Sequence, residues 1–311
     1  MVDTQPRNSE TAAATVRGYR RIEELIPSYW VQGTAVANGI RHYYYRTGGD
    51  KPPLVLLHGF LEGALAWLRT ARVLEQEYDV VMIDARGHGR SDGISTGFSQ
   101  DLLTRDAAGV IHALELGRPR LLGFSQGGTT GIHVAHAYPD LVHSLIVEGW
   151  GESDTVNTDF TQSEGYLAWL RAYRAWLEAL KTQTHPERMV SALSQLPPGT
   201  PIPVEEEYVV WVENCAQVDL DLVRLGTSLW ATLGAAVNEA IQALGRLTCP
   251  VLIMKSSFFP QPGAPQSVQE EPSERPNIRV VRFVNTGHLI HREQFDRFIT
   301  LVSGFFGEET S

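Results

Sequence analysis

Cysteine is scarce. The 311 residues hold two, Cys215 and Cys249, and neither stands in a spacing used by metal sites or redox pairs. That argues against a disulfide-stapled scaffold and points to a reducing compartment. No apolar run is long enough to span a bilayer. The first ten residues, Met1 to Glu10, lack the apolar stretch of a secretory signal. Basic residues are in deficit as well: 26 Lys and Arg against 36 Asp and Glu leave a net charge of −10. A surface of that sign does not attract nucleic acid or anionic membranes. The expectation is a cytoplasmic protein acting on a small molecule, with neither nucleic acid nor membrane as partner. The sequence is silent on oligomeric state.

What is present is the composition of a globular protein: 43% hydrophobic and 20% charged residues. The length suits one domain with an insertion better than two independent domains. After an N-terminal segment expected to be mobile over 1–15, residues 16–26 read as a short helix stopped by Pro27. Tyr29–Val36 and Ile40–Arg46 read as strands around Asn38-Gly39, a hairpin signal. Short apolar strands then alternate with helices: Leu54–His58, Val80–Asp84, Arg120–Phe124 and Leu141–Glu148, separated by helical spacing over Glu62–Gln76, Gln100–Leu116 and Gly127–Tyr138. The rhythm breaks at 150–245, a span rich in aromatics and interrupted by Leu196-Pro-Pro-Gly-Thr-Pro-Ile-Pro203. It resumes with strands Val251–Lys255 and Ile278–Phe283 and a helix over Arg292–Phe306. Alternation of this kind predicts an α/β fold: a mostly parallel twisted sheet with helices on both faces. The core is then 16–149 plus 246–311, and 150–245 is an inserted helical cap.

Three motifs carry chemistry. Gly123-Phe124-Ser125-Gln126-Gly127 lies between an apolar strand and a helix, the setting of a nucleophile elbow. Its glycines allow a sharp turn that lifts the Ser125 hydroxyl to the helix N-terminus, where the dipole favours negative charge. Leu54-Val-Leu-Leu-His58-Gly59-Phe60 leaves a buried strand through His-Gly. Acyl transfer needs two N–H groups on the oxyanion. Gln126 offers one and Phe60 is the candidate for the other, with His58 a brace. Asn285-Thr286-Gly287-His288 follows the last strand and supplies a base, since serine is a weak nucleophile until an imidazole takes its proton. His291 is the fallback base. His133 and His136 read as helix-surface residues and not as a metal pair.

These residues, with Asp84-Ala-Arg86-Gly87-His88-Gly89-Arg90-Ser91-Asp92 between them, resemble the capped esterases of the α/β-hydrolase superfamily over about 29–306. The resemblance implies a serine hydrolase acting through an acyl-enzyme, with no cofactor and no metal. The triad's acid departs from the usual pattern. In Pro250-Val-Leu-Ile-Met-Lys255-Ser256-Ser257-Phe258-Phe259, phenylalanine stands where most of the superfamily has aspartate. Some members carry the acid at the end of strand six instead. Here that residue is Glu148, with Glu152 and Asp154 as alternatives. A carboxylate closing an apolar strand needs a partner, and an imidazolium is one. The expected triad is Ser125, Glu148 and His288.

Leu61, Trp150, Phe258 and Leu289 are the candidate substrate-binding residues. Trp169 and Trp176, seven apart with Tyr173 between, are expected to pack the cap onto the sheet. The leading activity is hydrolysis of small, largely apolar carboxylic esters. Lactone or C–C bond hydrolysis, cofactor-free dioxygenation and perhydrolysis remain open, as does a non-enzymatic ligand receptor on the same fold. Haloalkane dehalogenases and soluble epoxide hydrolases resemble the chain in the layout of the triad only, because their nucleophile is an aspartate.

Overall fold

The structure of the protein, a computed structural model, describes residues 9–149, 164–196, 202–256 and 263–308. Leu54, Val55 and Leu56, Val80, Val81 and Met82, and Leu145, Ile146 and Val147 are all fully buried. Successive strand residues point to opposite faces, so such runs require cover on both sides. The structure supplies it. A nine-stranded sheet among the described residues contains β1 (Val31–Ala37), β2 (Ile40–Arg46), β3 (Pro53–Leu57), β4 (Asp79–Ile83), β5 (Arg120–Phe124), β6 (Leu145–Glu148), β7 (Val251–Lys255), β8 (Ser267–Glu271) and β9 (Ile278–Val284), in the order β1-β2-β4-β3-β5-β6-β7-β9-β8. The central pairings from β4 to β9 are parallel. Antiparallel pairs close each margin.

The helices in chain order are α1 (Ser9–Arg17), α2 (Ile22–Leu25), α3 (Leu68–Leu74), α4 (Gln100–Ala113), α5 (Gln126–Ala137), α6 (Glu164–Leu180), α7 (His185–Ala192), α8 (Glu205–Gln217), α9 (Leu220–Arg224), α10 (Gly226–Leu244), α11 (Ile290–Glu293) and α12 (Phe295–Glu308). Alternation along each strand sorts them into two cores. Leu54, Leu56, Val80, Met82 and Leu252 pack with residues of α3, α6, α8 and α12. Val55, Val81, Val147 and Val251 pack with residues of α4, α5 and α10. No helix among the described residues is long and apolar enough to cross a membrane.

Three expectations differ from the structure, and one strand, β8, was not foreseen. The helix read over 16–26 is two helices, and the first begins at Ser9, inside the segment read as mobile. Ala12, Ala13 and Ala14 are strong helix formers, and Val16, fully buried, docks the helix. The helix read over Glu62–Gln76 is a 3₁₀ turn, Ala64–Trp67, leading into α3. Strand β8 lacks an apolar pattern because it is a sheet edge. Its carboxylates Glu270 and Glu271 pair with Arg279 and Arg282 on β9, and Glu271 also with Lys255 on β7. Trp169 does not pack onto the sheet: it is 48% exposed and stacks on Tyr173, while Trp176 is buried against Tyr173 and Trp211.

Between β6 and β7 the described residues are helical, with no strand among them. Helix α8 is tied to the rest of the chain at its first turn. Glu205 pairs with Arg20 at 2.8 Å, Glu207 with Arg69 at 3.0 Å, and Glu206 with Arg72. All three pairs are partly exposed, where ion pairs contribute little individually. Changing the three glutamates to glutamine together is therefore expected to lower the melting midpoint by only about 2–4 °C at low salt. The difference should vanish near about 1 M salt, where screening is strong. Thermal melts at two ionic strengths check this, and a deficit that persists at high salt would mean the pairs act through packing.

Candidate active site

Strands β3, β5, β6, β7 and β9 run in the same direction, so their carboxyl ends open on one edge of the sheet. Ligands bind in that position in open α/β sheets. Ser125 sits there, between the last residue of β5 and the first of α5, with φ 52° and ψ −112°. A non-glycine residue in that region is strained. Gly127 makes the turn possible: a Cβ there would lie 2.1 Å from the Leu57 carbonyl oxygen. The Ser125 N–H donates to the Glu148 carbonyl at 2.9 Å, and its carbonyl accepts from Thr129 at 3.0 Å. The residue is half-buried and reachable. Gln126 begins α5, so its N–H belongs to the first turn, whose donors have no acceptor within the helix.

His288 lies on the turn after β9. Its ring packs on Phe124, the residue before the nucleophile, at 4.8 Å between centroids. Its carbonyl lies against Gly149, at the end of β6. Burial is the leading influence on its imidazole and pushes it below the ordinary value. The charges of Glu148 and Glu62 pull the other way, and His291 adds to the lowering.

Glu148 does not behave as the sequence suggested. The expected hydrogen-bonded partner was His288, yet the carboxylate is held by His291. Nδ1 of His291 lies 2.7 Å from Oε1 and 3.0 Å from Oε2, and the His291 backbone N–H donates to Oε1 at 2.8 Å. Glu148 is fully buried and His291 is 3% exposed. The reason is geometric. α11 begins at Ile290, and its first turn lays the His291 ring and amide over the end of β6, while His288 is still in the preceding turn. His288 feels Glu148 through charge.

Comparison with known proteins names the arrangement. A family described as the alpha/beta hydrolase fold matches residues 52–294, well over half of the chain. The chain belongs to the α/β-hydrolase family. Among curated relatives, a 2-hydroxy-6-oxononadienedioate/2-hydroxy-6-oxononatrienedioate hydrolase from Burkholderia vietnamiensis is 38% identical over 133 residues, covering 41% of this chain and 46% of that protein. A fluoroacetate dehalogenase from a Burkholderia species is 33% identical over 152 residues, 47% of this chain and 48% of that protein. The chain thus spans about half the length of the curated relatives it matches. Among solved structures, an E-2-(acetamidomethylene)succinate hydrolase superposes with a TM-score of 0.63 at 19% identity, over 89% of this chain and 99% of that one. That likeness supports the fold. These curated relatives are hydrolases.

Two loops brace the segment that carries Phe60. His58 Nε2 accepts from the Ala85 N–H at 3.0 Å, and its Nδ1 lies 2.7 Å from the Gly59 carbonyl. His88 Nε2 accepts from the Leu61 N–H at 3.2 Å, and its Nδ1 lies 2.9 Å from the Arg86 carbonyl. Burial holds the His88 imidazole down at about 3, so it stays neutral and keeps accepting. Leu61 takes a positive φ of 62° beside Phe60. Phe60, Leu61 and Leu289 are half-buried on the edge of the main core. Trp150 and Phe258 lie outside the described residues, with Glu152, Asp154 and Phe259.

Sequence reasoning missed Glu62. Its carboxylate accepts from the Gly59 N–H at 3.2 Å and pairs with Arg292 at 2.5 Å. Burial opposes its ionisation. The Arg292 guanidinium, His291, His58 and the Gly59 amide outweigh that and hold the carboxyl below its ordinary range. The signal was a lone charge directly after His58-Gly59-Phe60-Leu61. Among the described residues no cluster of His, Cys, Asp or Glu has the make-up of a metal site.

Proposed function

We propose that the protein is a serine hydrolase that cleaves small, largely apolar carboxylic esters through an acyl-enzyme. The observation that carries this reading is Ser125, a hydroxyl on a strained turn at the head of α5, where the family matches and where a nucleophile is needed. A neutral His288 takes the hydroxyl proton, and Ser125 attacks the carbonyl carbon. The N–H groups of Phe60 and Gln126 receive the oxyanion. His288 returns the proton to the departing alcohol, then activates the water that releases the acid. Glu148 and Glu62 favour the imidazolium formed between these steps. Leu61 and Leu289 line the acyl pocket, and the helices between β6 and β7 cap it; Trp150 and Phe258 stay candidates from the sequence alone. Within that span, Ala240 and Ala243 of α10 are buried in one cluster with α5 residues.

Chemistry separates this reading from that of the dehalogenase relative. Alkylation of Ser125 at a saturated carbon would leave an ether, which has no carbonyl for water to attack. An acylated serine has one. A second reading, hydrolysis of a C–C bond beside a ketone, is favoured by the 38% identity to the 2-hydroxy-6-oxononadienedioate hydrolase. It shares the attack on a carbonyl and differs in the leaving carbon, which takes a proton in place of an alkoxide.

The test is a set of p-nitrophenyl esters from acetate to decanoate, run beside a 2-hydroxy-6-oxodienedioate. Turnover of the esters is expected, with the chain-length profile reporting pocket depth. Turnover of the dienedioate alone would replace the ester reading by the second. Silence on both would end the ester reading and the second reading together. Because burial lowers the His288 imidazole, the acid limb of kcat/KM should fall below the ordinary 6.5, leaving activity flat through neutral pH. A limb above that value would identify a different base.

A further inference from the structure

Glu148 touches Ser125 and the segment that follows His288. Its carbonyl accepts from the Ser125 N–H at 2.9 Å. Its carboxylate accepts two bonds from His291, one from the ring and one from the backbone. His291 is three residues beyond His288. The same turn is fastened from behind as well. The Gly287 N–H donates to Glu293 at 2.7 Å, and Gln294 donates to Thr286. Those ties lie within the β9–α12 segment. The bonds to Glu148 reach across to β6, beside the elbow. The His291 ring is wedged between Trp67 at 4.8 Å and Phe124 at 5.1 Å, with Phe298 behind. Its Nε2 is buried with no hydrogen-bond partner, so Nδ1 carries the ring's specific bond.

We propose that His291 is a positioning residue of the hydrolytic reaction: by gripping the Glu148 carboxylate through its ring and its amide, it sets the register of His288 against Ser125. Glu148 then acts on the chemistry through His291 and not as the hydrogen-bonded acid of His288. This rests on Ser125 and His288 being nucleophile and base. Displacing a reacting group by about 1 Å is enough to cost about 10²-fold, so a residue that touches no substrate can still control kcat. The pair also has an electrostatic signature. The charged groups acting on His288 are Glu148 at the end of β6, Glu62 after β3 and His291 on α11. Glu148 holds the His288 proton on and His291 drives it off. Removing one or the other should move the His288 titration in opposite directions.

The experiment uses His291→Leu, His291→Gln and Glu148→Gln in the full chain. His291→Leu is expected to lower kcat about 10²-fold with KM within about twofold. His291→Gln, whose amide still donates to Glu148, should recover most of that. In NMR titrations of labelled histidine, the His288 midpoint should rise in His291→Leu and fall in Glu148→Gln. Wild-type kcat and an unmoved His288 midpoint in His291→Leu would overturn the proposal. So would a large loss in Glu148→Gln alone, which would mean that Glu148 reaches His288 directly. If His291→Leu does not fold, the two near-isosteric variants carry the titration. The titration needs no turnover, so it judges this proposal even if every ester is refused and the serine-hydrolase reading falls.

Discussion

Ser125→Ala is expected to lower kcat/KM on the best ester by at least about 10⁴-fold, while the protein stays folded. When the members of a Ser–His unit act together, removing the nucleophile leaves only what the oxyanion donors and binding supply. The donors proposed here are backbone groups, the N–H of Phe60 and of Gln126, and the substitution does not touch them. Stability should barely change, because alanine and serine bear the same steric penalty at φ 52°. Ser125→Gly separates strain from chemistry. It should be equally inactive yet more stable than the alanine variant by about 1 kcal/mol, since glycine adopts positive φ without a Cβ clash. Steady-state rates and denaturant melts on the three proteins give both answers. Residual turnover within about 10²-fold of wild type in Ser125→Ala would mean that another group attacks the substrate, and the reading of the elbow would fail with it.

The elbow was legible because its constraints are local. Strand, glycine, serine, glycine and helix are contiguous, and each residue type is needed for a reason that holds within a few ångströms. The central strands were legible for the same reason, since full burial leaves an unbroken apolar run such as Leu54-Val-Leu-Leu57. The partner of Glu148 was not. The sequence shows a carboxylate ending an apolar strand, which demands a cation or donors. It does not show which of two histidines, three residues apart, arrives there. That depends on where α11 begins, and helix starts shift by a residue or two with tertiary packing. The polar edge strand β8 was hidden because it is held by backbone bonds to β9 and by ion pairs to β9 and β7, with no apolar period to read. Trp169 was misplaced for the opposite reason: helical spacing put it on a stripe with Trp176, but the stripe ends at the protein surface.

Arg86→Met should destabilise the fold by about 3–5 kcal/mol at neutral pH, the range for removing one partner of a buried ion pair. Arg86 is fully buried and Asp106 is 4% exposed. Nε and Nη2 of the arginine donate to the two carboxylate oxygens at 2.5 and 2.7 Å, and Nη1 donates to the Gly97 carbonyl at 3.0 Å. Asn38 adds a bond to Asp106 at 2.8 Å, and His42 approaches to 3.7 Å. Methionine fills the space but leaves a carboxylate in a dry interior with only those two neighbours. The loss should depend on pH in a definite sense. Burial opposes ionisation of Asp106, yet Arg86, His42 and Asn38 together hold its carboxyl below the ordinary value. A depressed carboxyl stabilises the fold above the ordinary carboxylate range, and that contribution disappears as pH falls through the folded value. In Arg86→Met the leading stabilising influence is gone and burial remains, so Asp106 can escape its penalty by taking a proton. The gap between wild type and variant should therefore be widest near pH 7 and narrow towards about pH 4. Arg86→Met/Asp106→Leu should recover most of the stability, because a buried pair replaced whole by apolar groups costs little. Equal losses at both pH values, with no recovery in the double variant, would show that Arg86 matters for its hydrogen bond to Gly97 and its packing. The consequence for catalysis follows from position. Arg86 lies between Ala85, which donates to His58, and His88, which accepts from Leu61, so the ion pair anchors the strip of chain that holds the Phe60 N–H in place. In the fraction of Arg86→Met that remains folded, kcat should fall while the reactivity of Ser125 toward an irreversible serine reagent that needs no oxyanion donor is retained.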